Sequence, residues 1–188
     1  MNGSDVGNAL VEMVEVLTPQ TDRDWQVRAG PLEWSCWQTA AHIAHDLLAY
    51  AGQLAARPDS AYLPYDLMVR EGTSPADVLE VVKASSGLLQ LALASADPAT
   101  RAWHYGPCDP TGFAAMGVAE TLLHTYDIAQ GLGVPWRPPT DLSAAVLDRL
   151  FPHAPSGEPV AVLLWSTGRG ELDERPPLTS WFWKAAVE

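Results

Sequence analysis

Glu120 and His124 stand four residues apart in a segment that reads as helix. At about 100° per residue they lie roughly 40° apart on one face, one turn from each other. A carboxylate oxygen and an imidazole nitrogen so placed can reach one ion without bending the backbone. Phe113, Met116 and Asp127 fall within about 40° of Glu120 on the same projection, and Gly117 within about 60°. Val118, Ala119, Leu122, Leu123, Ile128 and Ala129 make the rest of the segment apolar too. A helix that is apolar nearly all round is buried. A buried carboxylate is costly unless it is paired or binds a metal, so this segment calls for a cation at Glu120.

The second helix offers a third ligand from His42 or His45. Its apolar residues Trp37, Ala41, Ala44, Leu48, Ala51 and Ala55 recur in steps of four and three. With the stripe centred near Trp37 and Ala55, His45 lies about 80° from the centre and His42 about 140°. His45 is therefore expected to point inward and His42 toward solvent. Asp46 projects to the opposite side and reads as a surface charge. The set His45, Glu120 and His124 leaves a position open for water or substrate, which distinguishes catalytic metal sites from closed structural ones. Imidazole and carboxylate ligands suit zinc, nickel and other first-row ions. The zincin pattern H-E-x-x-H is absent.

The elements that must position these residues follow from periodicity and breakers. Val6, Leu10, Met13, Val14 and Leu17 form a first helical stripe that Pro19 stops. The second helix ends at Pro58, and 59–72 is irregular. Ser74, Pro75 and Asp77 supply a cap, a proline at the first helical position and an acid in the first turn of a third helix. It runs to about Ala96. A loop over 97–110 holds Trp103, His104, Tyr105 and Cys108. The fourth helix starts near Thr111 and ends at Gly131 or Gly133, with Pro135 beyond. A short helix over 142–150 and an apolar stretch over 160–165 precede a tail rich in Pro, Gly and Trp. Four long helices without alternating strands predict an all-α bundle, with metal ligands projecting inward from facing helices. The predicted organisation is one bundle over 1–139 and a C-terminal extension over 140–188 packed on it.

Composition narrows the function. The 188 residues carry 11 basic and 23 acidic side chains, a net charge of −12, which repels nucleic acid and anionic lipid. Neither a signal peptide nor a run of about 18 continuous apolar residues is seen, so a cytoplasmic protein is expected. Cys36 and Cys108 form no C-x-x-C pair and read as free thiols, not a zinc site or a disulfide framework. Trp181 and Trp183, if exposed, mark an interface such as that of a homodimer. His153 reads as a loop residue.

The run WQTAAHIAHDL from Trp37 resembles the W-x7-H segment of the DinB-like metal-binding helical bundles. The run GVAETLLHTYDIA from Gly117 resembles their second metal segment. The tail, with LLWSTGR ending at Arg169, Arg175-Pro176 and Trp181-Phe182-Trp183, is similar to small members of the mycothiol-dependent maleylpyruvate isomerase branch. The resemblance implies a DinB-like four-helix bundle with His45, Glu120 and His124 on a divalent metal, usually zinc and in some relatives nickel. It implies that Asp127 orients His124 or ties down the helix end, and that mycothiol is the thiol cosubstrate. The chemistry implied is thiolate attack on an electrophilic small molecule, giving an S-conjugate or, if the thiol leaves again, an isomerised double bond.

Arg169 and Arg175 are candidates to pair with the thiol's carboxylate. His104, with Arg169, is a candidate catalytic residue, the histidine as general acid or base. Two alternatives stand beside this reading. One is a hydrolase using metal-activated water. The other is a non-catalytic, metal-stabilised binding protein, which a fourth ligand such as Asp127 or His104 would favour.

Overall fold

A computed structural model describes residues 1–187. The chain is mostly helical, with six α-helices among the described residues: α1 (Gly3–Leu17), α2 (Cys36–Ala56), α3 (Pro75–Ser95), α4 (Pro110–Gly131), α5 (Thr140–Leu150) and α6 (Pro159–Ser166). Breakers and caps set these bounds as expected. Ser35 and Gln38 form a capping box at the start of α2. Ser74 caps α3, with Pro75 in the first turn. Pro19 falls in a 3-10 turn, Thr18–Gln20, that closes α1. Glu188, the last residue of the expected extension, lies outside the described residues.

Helix α2 packs against α3 and α4, and α1 packs against α3 and α4. At their centre α4 is buried on nearly every face, from Phe113 to Ala129. Gly117 makes this close approach workable, because a Cβ there would come 2.7 Å from Leu89 Cδ2. Helix α3 has no continuous apolar run, yet by length and mean hydropathy (1.3) it is apolar enough to cross a membrane. Its residues Val78, Val82 and Leu89 are buried against its neighbours, while Leu88 and Leu91 on its other face are exposed. Helix α5 packs on α4 and α6.

The loop before α4 contains two short strands that periodicity did not reveal. They are β1 (Ala102–Trp103) and β2 (Pro107–Cys108), paired antiparallel. Tyr105 and Gly106 turn between them with φ of 52° and 139°. The chain's tail runs along β2, where Val187 N–H donates to Pro107 O. The tail is thereby held beside the loop that leads into α4.

Asp109 fixes the entry to α4. Its carboxylate accepts from Gly112 N–H and from Arg149 Nη2, each at 2.7 Å. Burial alone would raise its pKa, but the Arg149 bond and the Gly112 N–H outweigh burial and hold it below the ordinary carboxylate value. A depressed folded pKa means the stabilisation is present above the unfolded value and is lost as pH falls through the folded one. Asp109→Ala is therefore expected to cost about 1–2 kcal/mol at pH 7, the range of a lost N-cap. In urea melts at successively lower pH, the gap between wild type and variant should close in the acid range. A gap that stays constant down to pH 2 would contradict this.

Candidate metal centre

Three side chains converge from within α2 and α4 on a cavity that tail residues also line. Ligand atoms of His42 on α2 and of Glu120 and His124 on α4 all lie within 4.8 Å of one another. His124 Nε2 is 3.1 Å and His42 Nε2 is 3.9 Å from Glu120 Oε2. Two ligands each ~2.1 Å from a zinc ion in tetrahedral array stand about 3.4 Å apart, so the spacing suits one ion. Two imidazoles and a carboxylate make a His2Glu donor set, one that catalytic zinc uses with a fourth position open.

The remaining atoms of these ligands are held from behind. His124 Nδ1 lies 3.0 Å from Asp127 Oδ2, so it donates there and leaves Nε2 free to ligate. Asp127 is fully buried and takes a two-pronged bond from Arg169, at 2.9 Å from Nε and 2.7 Å from Nη2. Tyr50, itself buried, donates to Glu120 Oε1 at 3.3 Å and leaves Oε2 facing the histidines. Burial alone would lower the His124 pKa, but its bonds to Asp127 and Glu120 raise it to about 9. Burial would raise the Glu120 pKa, and its bond to His124 outweighs that, giving about 2. The metal-free site is thus an ion pair. Burial lowers His42 to about 4, so this imidazole is neutral and ready to ligate at pH 7.

His42 takes the place expected for His45. The buried residues of α2, from Cys36 through Ala40, Ile43 and Leu47 to Leu54, centre on Cys36 and Leu54, not on Trp37. From that centre Asp46 lies about 80° away, His42 about 120° and His45 about 180°. Trp37 lies off that centre because its indole N–H donates to Thr73 O at 2.8 Å, which leaves the residue half-buried. The W-x7-H spacing itself occurs twice, since Trp34 precedes His42 as Trp37 precedes His45. The rings of Trp34 and His42 are in contact at 4.7 Å. His45 instead accepts from Leu67 N–H at Nδ1, 3.3 Å away, and anchors the loop over 59–72.

Asp46 is likewise not a surface charge. It lies 3.2 Å from His42 Nε2 and hydrogen-bonds Glu120. Burial, with the Glu120 charge beside it, raises its pKa to about 9, so it carries a proton. His42, Asp46, Ala49, Tyr50 and Gln53 form one stripe of α2 lining a cavity of about 1110 Å³.

Three other expectations change. Arg169 stands on the cavity wall, but its guanidinium bonds Asp127 and Thr167 O, so it holds the carboxylate behind His124. Arg175 lies over the Trp165 ring, 5.7 Å from its centroid, and is not part of the cavity wall. His104 is on that wall, but Tyr62 and Trp183 occupy its two nitrogens. Neither Asp127 nor His104 joins the triad as a fourth ligand. Trp181 and Trp183 line the cavity. Cys36 and Cys108 are free and buried as expected, and burial raises their thiols to about 11 and about 12.

Neither the curated proteins nor the solved structures provide a match to this sequence. Residues 8–128, which include His42, Glu120, His124 and Asp127, match the family model of the DinB superfamily. The chain therefore belongs to the DinB superfamily.

Proposed function

We propose that this protein is a metal-dependent enzyme that activates a low-molecular-weight thiol, of the mycothiol kind, for attack on an electrophilic small molecule. The observation that carries this reading is the convergence of His42, Glu120 and His124 on a cavity with no cysteine on its wall among the described residues. Both cysteines are buried and their thiols held protonated. At about 1110 Å³ the cavity is at the upper end for small-molecule sites, with room for two reactants. The mutual packing of α1 to α4 supports a four-helix bundle over 1–139 with 140–188 as its extension. Zinc is the ion we assign, on the donor set.

A bound divalent ion would supply a Lewis acid that makes a thiol or a water acidic near neutral pH. The chain supplies the rest. Asp127 and Arg169 fix the His124 tautomer, and Tyr50 fixes Glu120. Asp46 holds an exchangeable proton next to His42. The absence of a fourth ligand among the described residues supports an open, catalytic site over a closed structural one. Asp46 also supports a second reading, since a protonated carboxyl so placed can give its proton to a leaving group when metal-activated water attacks.

The test is conjugation of mycothiol to monochlorobimane, followed by fluorescence, with zinc-loaded and chelated protein. At least tenfold acceleration over the spontaneous reaction, lost on chelation and in His42→Ala, is expected. No acceleration, with zinc-dependent hydrolysis of p-nitrophenyl acetate instead, would replace the thiol reading by the hydrolytic one. Neither activity would leave a binding protein.

A further inference from the structure

On the cavity wall, three side chains form a chain of hydrogen bonds that can run in only one direction. Trp183 Nε1 lies 3.3 Å from His104 Nε2. An indole N–H only donates, so Nε2 must accept. A doubly protonated ring would set two donors against each other at that contact. Burial also lowers the His104 pKa to about 4, which keeps the ring neutral at pH 7. A neutral imidazole that accepts at Nε2 carries its proton on Nδ1. His104 Nδ1 is 2.5 Å from Tyr62 Oη and therefore donates to it.

Tyr62 is left with a proton to give. Its oxygen accepts from His104, and its own O–H has no acceptor among the described residues. The residue is half-buried and lines the cavity. Its ring stands edge-on to Trp103 and to His104, which fixes where the hydroxyl sits. Burial pushes its pKa up, so it stays a donor across the working range. Tyr50 links this wall to the metal centre, with its ring 6.1 Å from that of His104 and its hydroxyl on Glu120. Toward solvent, Tyr105, Trp181 and Phe182 line the same cavity with flat apolar surface.

We propose that Tyr62 heads a substrate subsite in which its hydroxyl donates to a carbonyl oxygen on a flat, apolar molecule, with His104 and Trp183 as positioning residues. It rests on reading the cavity as a substrate site. It does not rest on the metal.

The probes are 2-acetylnaphthalene and its near-isostere 2-isopropylnaphthalene, which lacks the acceptor. Binding is followed by ligand-observed NMR in chelated and zinc-loaded protein. One added hydrogen bond predicts that the ketone binds about five- to tenfold more tightly than the hydrocarbon, with or without zinc. Tyr62→Phe should abolish the preference and leave hydrocarbon binding unchanged. Trp183→Phe should weaken it, since the His104 tautomer is then free to change. In the wild type, nitrogen-15 shifts of His104 should report a neutral ring protonated at Nδ1.

Equal binding of the two probes, binding of neither, or a His104 proton on Nε2 would overturn the subsite. A preference that needs zinc and survives Tyr62→Phe would also overturn it while leaving the metal centre standing. A preference carried by Tyr62 in a protein that takes up no zinc would support the subsite and remove only the metal.

Discussion

Arg169→Ala is expected to destabilise the protein by about 3–5 kcal/mol, the range for removing one partner of a buried ion pair. Asp127 is fully buried, and the Arg169 side chain is 6% exposed. Truncating the arginine leaves a carboxylate inside the core with only His124 for company. Total stabilities of such domains are about 5–15 kcal/mol, so the variant should unfold at much lower urea, with an unchanged slope. Arg169→Lys should recover only part, because one ammonium cannot reproduce two parallel bonds from a planar guanidinium. Metal uptake should weaken as well, since Asp127 would no longer be held to orient His124. An arginine that served a substrate carboxylate would behave in the opposite way, with a raised KM for the thiol and little change in stability. A loss under about 1 kcal/mol would mean that the pair is solvated and that the structural role is wrong.

The second large effect separates two neighbouring histidines. Structural zinc sites with four ligands bind with about 10–16 kcal/mol, so one ligand is worth on the order of 3 kcal/mol, or about a hundredfold in affinity. His42→Ala should lower zinc affinity by about that factor or more. His45→Ala should leave it within about threefold, because His45 Nδ1 is engaged with Leu67 N–H and the residue lies outside the triad. Competition with a chromophoric chelator measures both. The reverse order would return His45 to the centre and make His42 a bystander.

The contrast shows what a sequence can display here. Glu120 and His124 were legible because α4 is apolar on every side. A carboxylate in such a helix announces itself, and i,i+4 spacing is local. The helix bounds were legible for a similar reason, since Pro19, Pro58 and Pro75 act on their own neighbours. The choice between His42 and His45 needed the rotational setting of α2 to better than about 60°. Trp37 and Ala55 pulled that setting away from the residues that are buried, Cys36, Ile43, Leu47 and Leu54. The second W-x7-H spacing, from Trp34, was the signal that would have corrected it. The partner of Arg169 is 42 residues away in sequence, and no local pattern reports such a pairing. The Tyr62–His104–Trp183 chain spans three separate segments and was invisible for the same reason.

The most direct measurement is the anomalous scattering of a zinc-soaked crystal, recorded on both sides of the zinc absorption edge. One peak per chain is expected, within about 2.0–2.2 Å of His42 Nε2, Glu120 Oε2 and His124 Nε2. A peak held by His45, or no peak there in protein that has been offered zinc, would contradict the assignment of this centre.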